Sequence, residues 1–186
     1  MKKQLIPLII LIIMTPLILW LLPYLNKPQI GGPFTLQSKG KSWSLEDAKG
    51  KLAILYFGYM RCPDICPTTL HKIKTTLNNL GTEKSQQIQT VFISVDHKSD
   101  KPELVHEYAN NIHPSFIGVT GNKKEVDTVV NLYKSNYFFQ KLEGSTFSYS
   151  VVHSNRLYLI NRYGNYITSF VPETAKDLEA IINEHL

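Results

Sequence analysis

The sequence predicts an α/β domain, with a sheet that contains parallel strands and helices on both of its faces. Two segments carry this prediction: residues 51–59, KLAILYFGY, are an apolar and aromatic run without alternation of polar and apolar positions, and residues 88–95, IQTVFISV, are predicted to form a second buried strand. Such runs are typical of strands that are buried on both faces. Helical patterns follow each run, and strands that alternate with helices form parallel sheets. We therefore assign residues 29–186 to one folded domain, a length that suits a single core.

The first half of this domain is predicted to begin with a hairpin and to continue as strand, helix and strand. Residues 33–45 contain two short runs on either side of the turn-forming residues SKGK, which is a hairpin pattern. After the strand at 51–59, Pro67 suits the first turn of a helix, because its missing N–H is not needed there. The helix is expected to reach about Leu80, with four apolar side chains along one face: Leu70, Ile73, Leu77 and Leu80.

The second half is predicted to continue in the same alternating manner and to end with a strand pair and a helix. The expected elements are a helix at 101–112, a strand at 115–120, a helix at 121–135, strands at 156–160 and 166–171, and a helix from about Glu173 onward. Sites in α/β sheets lie at the carboxyl ends of the strands. Cys62, Asp96 and the loop before Arg156 are therefore expected to meet near one edge of the sheet.

Residues 1–28 are predicted to form a membrane anchor and a short linker. Lys2 and Lys3 precede residues 5–25, LIPLIILIIMTPLILWLLPYL, which contain no charge. As a helix this segment would span about 31 Å, close to the hydrocarbon thickness of a bilayer. A cleaved signal peptide is the alternative, but no small-residue cleavage site follows the apolar run. We expect an uncleaved single-pass anchor in the cytoplasmic membrane, with the domain facing the periplasm or the outside.

Charge argues against nucleic acid as a partner. The chain has 20 Lys and Arg against 15 Asp and Glu, for a net charge of +5. The basic residues are scattered among acidic ones, as in HKSDKPELVHEY, and no basic stripe with interleaved aromatic residues is present in the sequence. We therefore expect a mildly basic, solvated surface and no nucleic-acid binding.

The chain contains two cysteines, Cys62 and Cys66, at a predicted strand-to-helix turn. A structural disulfide is one interpretation, but so small a loop constrains the unfolded chain little. The amino end of a helix favours thiolate, which indicates a reactive or metal-binding role. Thiols four residues apart on a helical turn can oxidise together or bind one metal ion. The spacing therefore indicates function more than structure.

Two thiolates select a soft ion such as Cu(I) or Zn²⁺, and two are too few for a closed zinc site or a cluster. Histidine is the usual third ligand, and the sequence leaves the choice open. His97 follows Asp96 at a strand end, and His153 lies in a predicted loop just before a strand, where position alone favours a structural or exposed role. The remaining histidines are predicted to be solvated: His71, His106, His113 and His185.

Four segments follow one another in the chain: YFGYMRCPDICPTTL, VFISVD, PSFIGVTG and HSNRLYLINRYGN. Together they resemble the SCO/SenC family of copper-binding, thioredoxin-like proteins, and the resemblance covers residues 33–185. It implies a thioredoxin-like fold with an N-terminal β-hairpin, and copper bound by Cys62, Cys66 and His153. Cu(I) is the expected ion, with Cu(II) as a further candidate. The implied partners are a copper donor chaperone and the copper-receiving subunit of cytochrome c oxidase.

The resemblance implies a metallochaperone for the binuclear copper centre of cytochrome c oxidase, rather than an enzyme. A thiol–disulfide oxidoreductase that uses the Cys62 and Cys66 pair is the alternative, although such enzymes usually have two residues between their cysteines and this chain has three. A redox sensor with the same pair as reacting and resolving thiols is a third interpretation.

The chain departs from the family pattern at two places near the expected site. Val152 stands before His153 where the family has aspartate, and DHKSDKP replaces the pattern D-P-x-x-D-T-P, which puts His97 in place of proline and Lys101 in place of threonine. An acid beside a ligating histidine orients its ring. We therefore expect Asp96 to accept the second ring N–H of His153, or His97 to act as an alternative ligand, and Val152→Asp to tighten Cu(I) binding.

Overall fold

The computed structural model describes residues 14–16, 19–20, 29–144 and 148–186. The predicted anchor at 5–25 lies for the most part outside these residues and remains a prediction, and residues 14–16 and 19–20 are helical. No helix in the described parts of the chain combines the length and the apolar character needed to cross a membrane.

Strands and helices alternate through most of the domain. In chain order they are β1 (Thr35–Ser38), β2 (Lys41–Ser44), a 3-10 helix (Leu45–Ala48), β3 (Leu52–Gly58), α1 (Ile65–Ser85), β4 (Ile88–Ser94), α2 (Pro102–Ile112), β5 (Ile117–Val119), α3 (Lys123–Leu132), β6 (Tyr137–Lys141), β7 (Tyr149–His153), β8 (Leu157–Ile160), β9 (Tyr166–Phe170) and α4 (Ala175–His185).

The central sheet has the strand order β5-β4-β3-β8-β9. Strands β3, β4 and β5 are parallel, whereas β8 is antiparallel to both β3 and β9. All seven residues of β3 and all seven of β4 are buried, as predicted, including the polar residues Gln89, Thr90 and Ser94 of β4. The carboxyl ends of β3 and β4 therefore share an edge with the amino end of β8, where Tyr56 of β3 pairs with Leu157.

Helices cover both faces of this sheet, as predicted. Tyr56 and Phe57 are consecutive on β3, so their side chains point to opposite faces. The Tyr56 hydroxyl lies beside Cys66 of α1. The ring of Phe57 instead packs against Tyr133, directly after α3, with the ring centroids 6.1 Å apart. The two helices therefore lie on opposite faces, and α4 packs against α1.

The helix after the cysteines lies close to its predicted bounds. It begins at Ile65, with Asp64 as its N-cap, so that Pro67 lies in its first turn, as predicted, and Cys66 lies there too. The predicted end near Leu80 also agrees with the structure, because Gly81 leaves helical conformation at φ 74° before the chain makes a further turn to Ser85.

The β6–β7 ribbon was not predicted. It is antiparallel and separate from the central sheet, and it pairs Tyr137 with His153. Its residues are mostly exposed or half-buried, so they lack the apolar run that identifies β3 and β4. The prediction that His153 lies in a loop is therefore wrong, since it is the last residue of β7.

Candidate metal centre

The candidate centre lies where β3 and β4 end side by side. Gly58 and Ser94, the last residues of the two strands, are paired across the parallel ladder. The segment after β3 carries Cys62, and the segment after β4 carries Asp96. A side-chain oxygen of Asp100 accepts a hydrogen bond from the Met60 backbone N–H at 2.9 Å, which joins the two segments. The prediction that Cys62 and Asp96 meet at one edge is confirmed.

The amino end of α1 brings the two sulfurs together. Cys62 precedes the N-cap Asp64 by two residues, and Cys66 is the second residue of the helix. The Cys66 backbone N–H donates to the Cys62 Sγ at 3.5 Å. One of the N–H groups that a helix leaves unpaired at its amino end thus faces sulfur, an arrangement that stabilises thiolate.

Cys66 is packed against the backbone of β3. Its side chain has no exposed surface. A Cβ atom added at Gly58 would lie 2.8 Å from the Cys66 Sγ and 2.7 Å from a ring carbon of Phe92. The missing side chain of Gly58 therefore makes the space that the sulfur occupies.

His153 reaches the same point from the β6–β7 ribbon. Its Nε2 lies 3.2 Å from the Cys66 Sγ, although the two residues are 87 positions apart. The imidazole stands edge-to-face against Tyr56 and Tyr59, with ring centroids 6.2 and 5.7 Å away. These two rings limit the orientations that the imidazole can adopt.

The three donor atoms of Cys62, Cys66 and His153 all lie within 4.8 Å of one another. A metal ion bound at roughly 2.0–2.3 Å from each donor in a plane separates the donors by about 3.5–4 Å. Small side-chain shifts would therefore bring all three atoms onto one ion. Both cysteines are free thiols in this structure, Cys66 buried and Cys62 half-buried.

The two thiols have pKa values that are shifted in opposite directions. A hydrogen bond from the Cys66 side chain is the main cause that lowers the pKa of the Cys62 thiol to about 4, helped by the backbone at Asp64 and Cys66 and opposed by burial. The pKa of Cys66 is raised, first by this bond to Cys62 and then by burial. Cys62 is therefore the thiolate and Cys66 holds the shared proton at neutral pH.

The second ring nitrogen of His153 has a partner that the sequence did not suggest. Its Nδ1 lies 3.0 Å from the carbonyl oxygen of Ser154. Val152 has 39% of its surface exposed, and as the neighbour of His153 on a strand it points to the other side of the ribbon. A backbone carbonyl therefore takes the place that we expected an acid to hold.

Neither of the two expected substitutes for that acid, Asp96 as an acceptor for His153 and His97 as an alternative ligand, is in its predicted place. The Asp96 carboxylate accepts from the Tyr149 hydroxyl at 2.9 Å and from Arg61 at 3.2 Å. The His97 ring packs against Phe139 and Tyr137 at centroid distances of 5.2 and 6.1 Å. The proposed role of Asp96 as acceptor for His153 is wrong, and His97 lies outside the group of three donors.

One further histidine prediction is wrong. His106 was expected at the surface of α2, but it is 9% exposed and its Nδ1 lies 3.0 Å from the Ser38 hydroxyl. Ser38 in turn donates to the carbonyl oxygen of Gly118. The helix comes this close because Gly118 has no side chain, since a Cβ there would lie 2.0 Å from the Val105 oxygen. His106 thus joins the N-terminal hairpin to α2 and β5.

A comparison with known protein families identifies the chain. A profile of the SCO1/SenC family matches residues 23–185. The chain belongs to the SCO1/SenC family. The SCO2-like protein RP587 of Rickettsia prowazekii is 39% identical over 148 residues, which cover 79% of this chain and 72% of that protein. The mitochondrial protein SCO2 of Saccharomyces cerevisiae is 38% identical over 139 residues, 74% of this chain and 46% of the relative.

Solved structures of relatives share the fold of this SCO1/SenC member. The crystal structure of Arabidopsis thaliana ScoI with copper bound has a TM-score of 0.76 and 36% identity, and the match covers 83% of this chain and 97% of that one. Yeast Sco1 with copper bound has a TM-score of 0.75 and 33% identity, over 85% of this chain and 88% of that one. The predicted thioredoxin-like α/β fold is confirmed.

Proposed function

We propose that this SCO1/SenC protein is a copper metallochaperone in which Cys62, Cys66 and His153 bind the ion. The observation that carries the proposal is the convergence of these three donors within 4.8 Å at one edge of the sheet. Two relatives that share the fold were solved with copper bound. Thiolate and imidazole are the ligands that soft Cu(I) prefers, which makes Cu(I) the main cargo and Cu(II) a second one.

The arrangement suits transfer of an ion better than permanent storage. Three protein ligands leave one direction open for a ligand of a partner protein, and Cys62 is half-buried, so a partner can approach that sulfur. Ligand exchange between two such sites moves the ion without releasing it to water. The resemblance to the family implies that the copper-receiving subunit of cytochrome c oxidase is the recipient and that a copper donor chaperone supplies the ion.

A titration of the reduced domain with Cu(I), in competition with a Cu(I) chelator, tests the proposed site. One ion should bind, and X-ray absorption should show sulfur-dominated coordination with about one nitrogen. Cys66→Ala should abolish tight binding because it removes a ligand. Full affinity in Cys66→Ala would refute the proposal, and His71→Ala serves as the control, since that histidine is exposed on α1.

A thiol–disulfide oxidoreductase remains the second candidate function. The lowered pKa of Cys62 favours it, because thiolate is the attacking species in disulfide exchange. The two functions separate at His153, since an imidazole completes a metal site but is not needed to exchange a disulfide. His153→Ala should abolish oxidase maturation in cells while the Cys62–Cys66 disulfide still forms. Normal copper content of the oxidase in that variant would favour the oxidoreductase.

The proposed location is a membrane, with residues 5–25 as an uncleaved anchor and the domain on its outer side. The uncharged apolar sequence supports this proposal. Mass analysis of the membrane fraction should find the original N-terminus. A mature chain in the soluble fraction that begins near residue 26 would refute the anchor without affecting the metal site.

A further inference from the structure

The hydroxyl of Tyr56 is a buried polar group next to the candidate centre. Tyr56 lies on β3 and has no exposed surface. Among the residues that the structure describes, its hydroxyl oxygen has no hydrogen-bond partner at normal geometry. Nearly all buried polar side-chain atoms in proteins are paired, so an unpaired one requires an explanation.

The hydroxyl faces two acceptors without completing a bond to either. They are the Cys66 sulfur and the Thr69 hydroxyl, both on the first turns of α1. Thr69 donates its own hydrogen to the Asn155 side-chain oxygen at 3.2 Å, so towards Tyr56 it can only accept. Cys66 as a neutral thiol is also a weak acceptor. In the metal-free protein the Tyr56 hydroxyl is therefore a hydrogen-bond donor with only weak acceptors nearby.

A metal ion that binds the Cys66 sulfur would displace the thiol proton to solvent, so the sulfur would become a thiolate. Hydrogen bonds to a charged acceptor are shorter and roughly twice as strong as those between neutral groups. In a dry environment that difference is larger than in water. The Tyr56 ring also packs edge-to-face on the imidazole of His153, with centroids 6.2 Å apart, so the same residue touches two of the three expected ligands.

We propose that Tyr56 is a positioning residue whose hydroxyl donates a hydrogen bond to the Cys66 thiolate when that sulfur holds a metal ion. This inference rests on the proposed function. The bond occupies one lone pair of the sulfur and directs another towards the ion, and it stabilises the negative charge that metal binding requires. Hydrogen bonds to sulfur ligands also tune the electronic properties of a metal centre.

The test compares Tyr56→Phe with Tyr133→Phe. Both residues are fully buried tyrosines, but the Tyr133 hydroxyl donates to the carbonyl oxygen of Gly32 at 3.1 Å and has no part in the centre. Cu(I) affinity is measured by competition with a chelator, and stability of the metal-free form by urea unfolding. Tyr56→Phe should weaken Cu(I) binding by about 10- to 100-fold, the usual cost of losing a partner of a metal ligand. Its metal-free stability should be unchanged or higher, because an unpaired buried hydroxyl is removed.

Tyr133→Phe should show the opposite result, with lower stability and unchanged Cu(I) affinity. In the Cu(II)-loaded proteins, the sulfur-to-copper charge-transfer band should move to lower energy in Tyr56→Phe alone, since the thiolate loses its donor. Equal Cu(I) affinity and an unmoved band in Tyr56→Phe would overturn the inference while the proposed site stands. Failure of the unmodified protein to bind copper, or full Cu(I) affinity in Cys66→Ala, would overturn both the inference and the proposed function.

Discussion

The phenolic oxygen of Tyr149 lies 2.9 Å from one carboxylate oxygen of Asp96 and 3.1 Å from the other. Asp96 is fully buried, and its carboxylate also accepts from Arg61 and from backbone N–H groups of its own loop. Tyr149 belongs to β7, the strand that ends at His153. One buried carboxylate therefore ties the ribbon that carries the imidazole to the loop segments at the ends of β3 and β4.

Loss of the Tyr149 hydroxyl is expected to loosen this connection. Tyr149→Phe should lower the free energy of unfolding by about 1.5–3 kcal/mol, since a hydrogen bond to a charged group is lost and Asp96 stays buried. Urea unfolding of the metal-free domain measures the change. Tyr163→Phe is the matched control, because that side chain is 73% exposed, and it should have no effect. Equal stability of the two variants would show that Tyr149 does not hold the ribbon.

The reactivity of Cys62 should be nearly independent of pH above about pH 5. Its pKa, lowered to about 4, keeps the sulfur ionised down to that range, and the rate should fall only as the pH drops through the folded-state pKa. Alkylation by iodoacetamide at pH 6 should therefore be about as fast as at pH 8. Mass spectrometry of the products assigns the modified residue.

Cys66→Ala supplies the control for that pH profile. The Cys66 side chain is the main cause of the lowered pKa of Cys62. Without it, the alkylation profile of Cys62 should shift to higher pH. A Cys62 rate that rises steeply between pH 7 and 9 in the unmodified protein would contradict the assignment of the thiolate to Cys62.

Gly58→Ala should damage both the fold and the centre. The added methyl group would stand 2.8 Å from the Cys66 sulfur and 2.7 Å from Phe92, so at least one of them must move. Overpacking of this kind costs about 1–3 kcal/mol. Chelator competition should also show weaker Cu(I) binding, because the displaced sulfur is one of the three proposed ligands. Adding Phe92→Leu relieves only the contact with the ring and leaves the contact with the sulfur, so this double variant should not regain Cu(I) affinity.

Val152→Asp is now expected to have little effect, contrary to the sequence-based expectation. The second ring nitrogen of His153 already faces the Ser154 carbonyl, and Val152 points away from the ring. Cu(I) affinity should change by less than about threefold, well below the 10- to 100-fold range typical of a partner of a metal ligand. His97→Ala should likewise leave the Cu(I) affinity unchanged. A tenfold gain in Val152→Asp would restore the idea of a missing acid.

Sequence patterns identified the elements that depend on contiguous residues. The two buried strands, the helix after the cysteines and the last helix were predicted because their apolar periodicity is visible within a short window. The start of α4 is also marked by local residues, because Thr174 and Asp177 form a capping box there. The β6–β7 ribbon shows no such apolar periodicity, since its side chains are mostly half-buried or exposed. Contacts with the rest of the fold hold it in place.

The sequence alone determined the α/β class and the location of the cysteine pair at a strand-to-helix turn, because these depend on residues that are neighbours along the chain. His153 was identified through the resemblance to a family, and its position relative to Cys66 was decided only by tertiary structure, across 87 residues. The same holds for the bond between Tyr149 and Asp96, which are 53 residues apart. Such contacts depend on which strands become neighbours in the sheet and ribbon. Local periodicity does not predict strand neighbours, because it depends only on residues that are close along the chain.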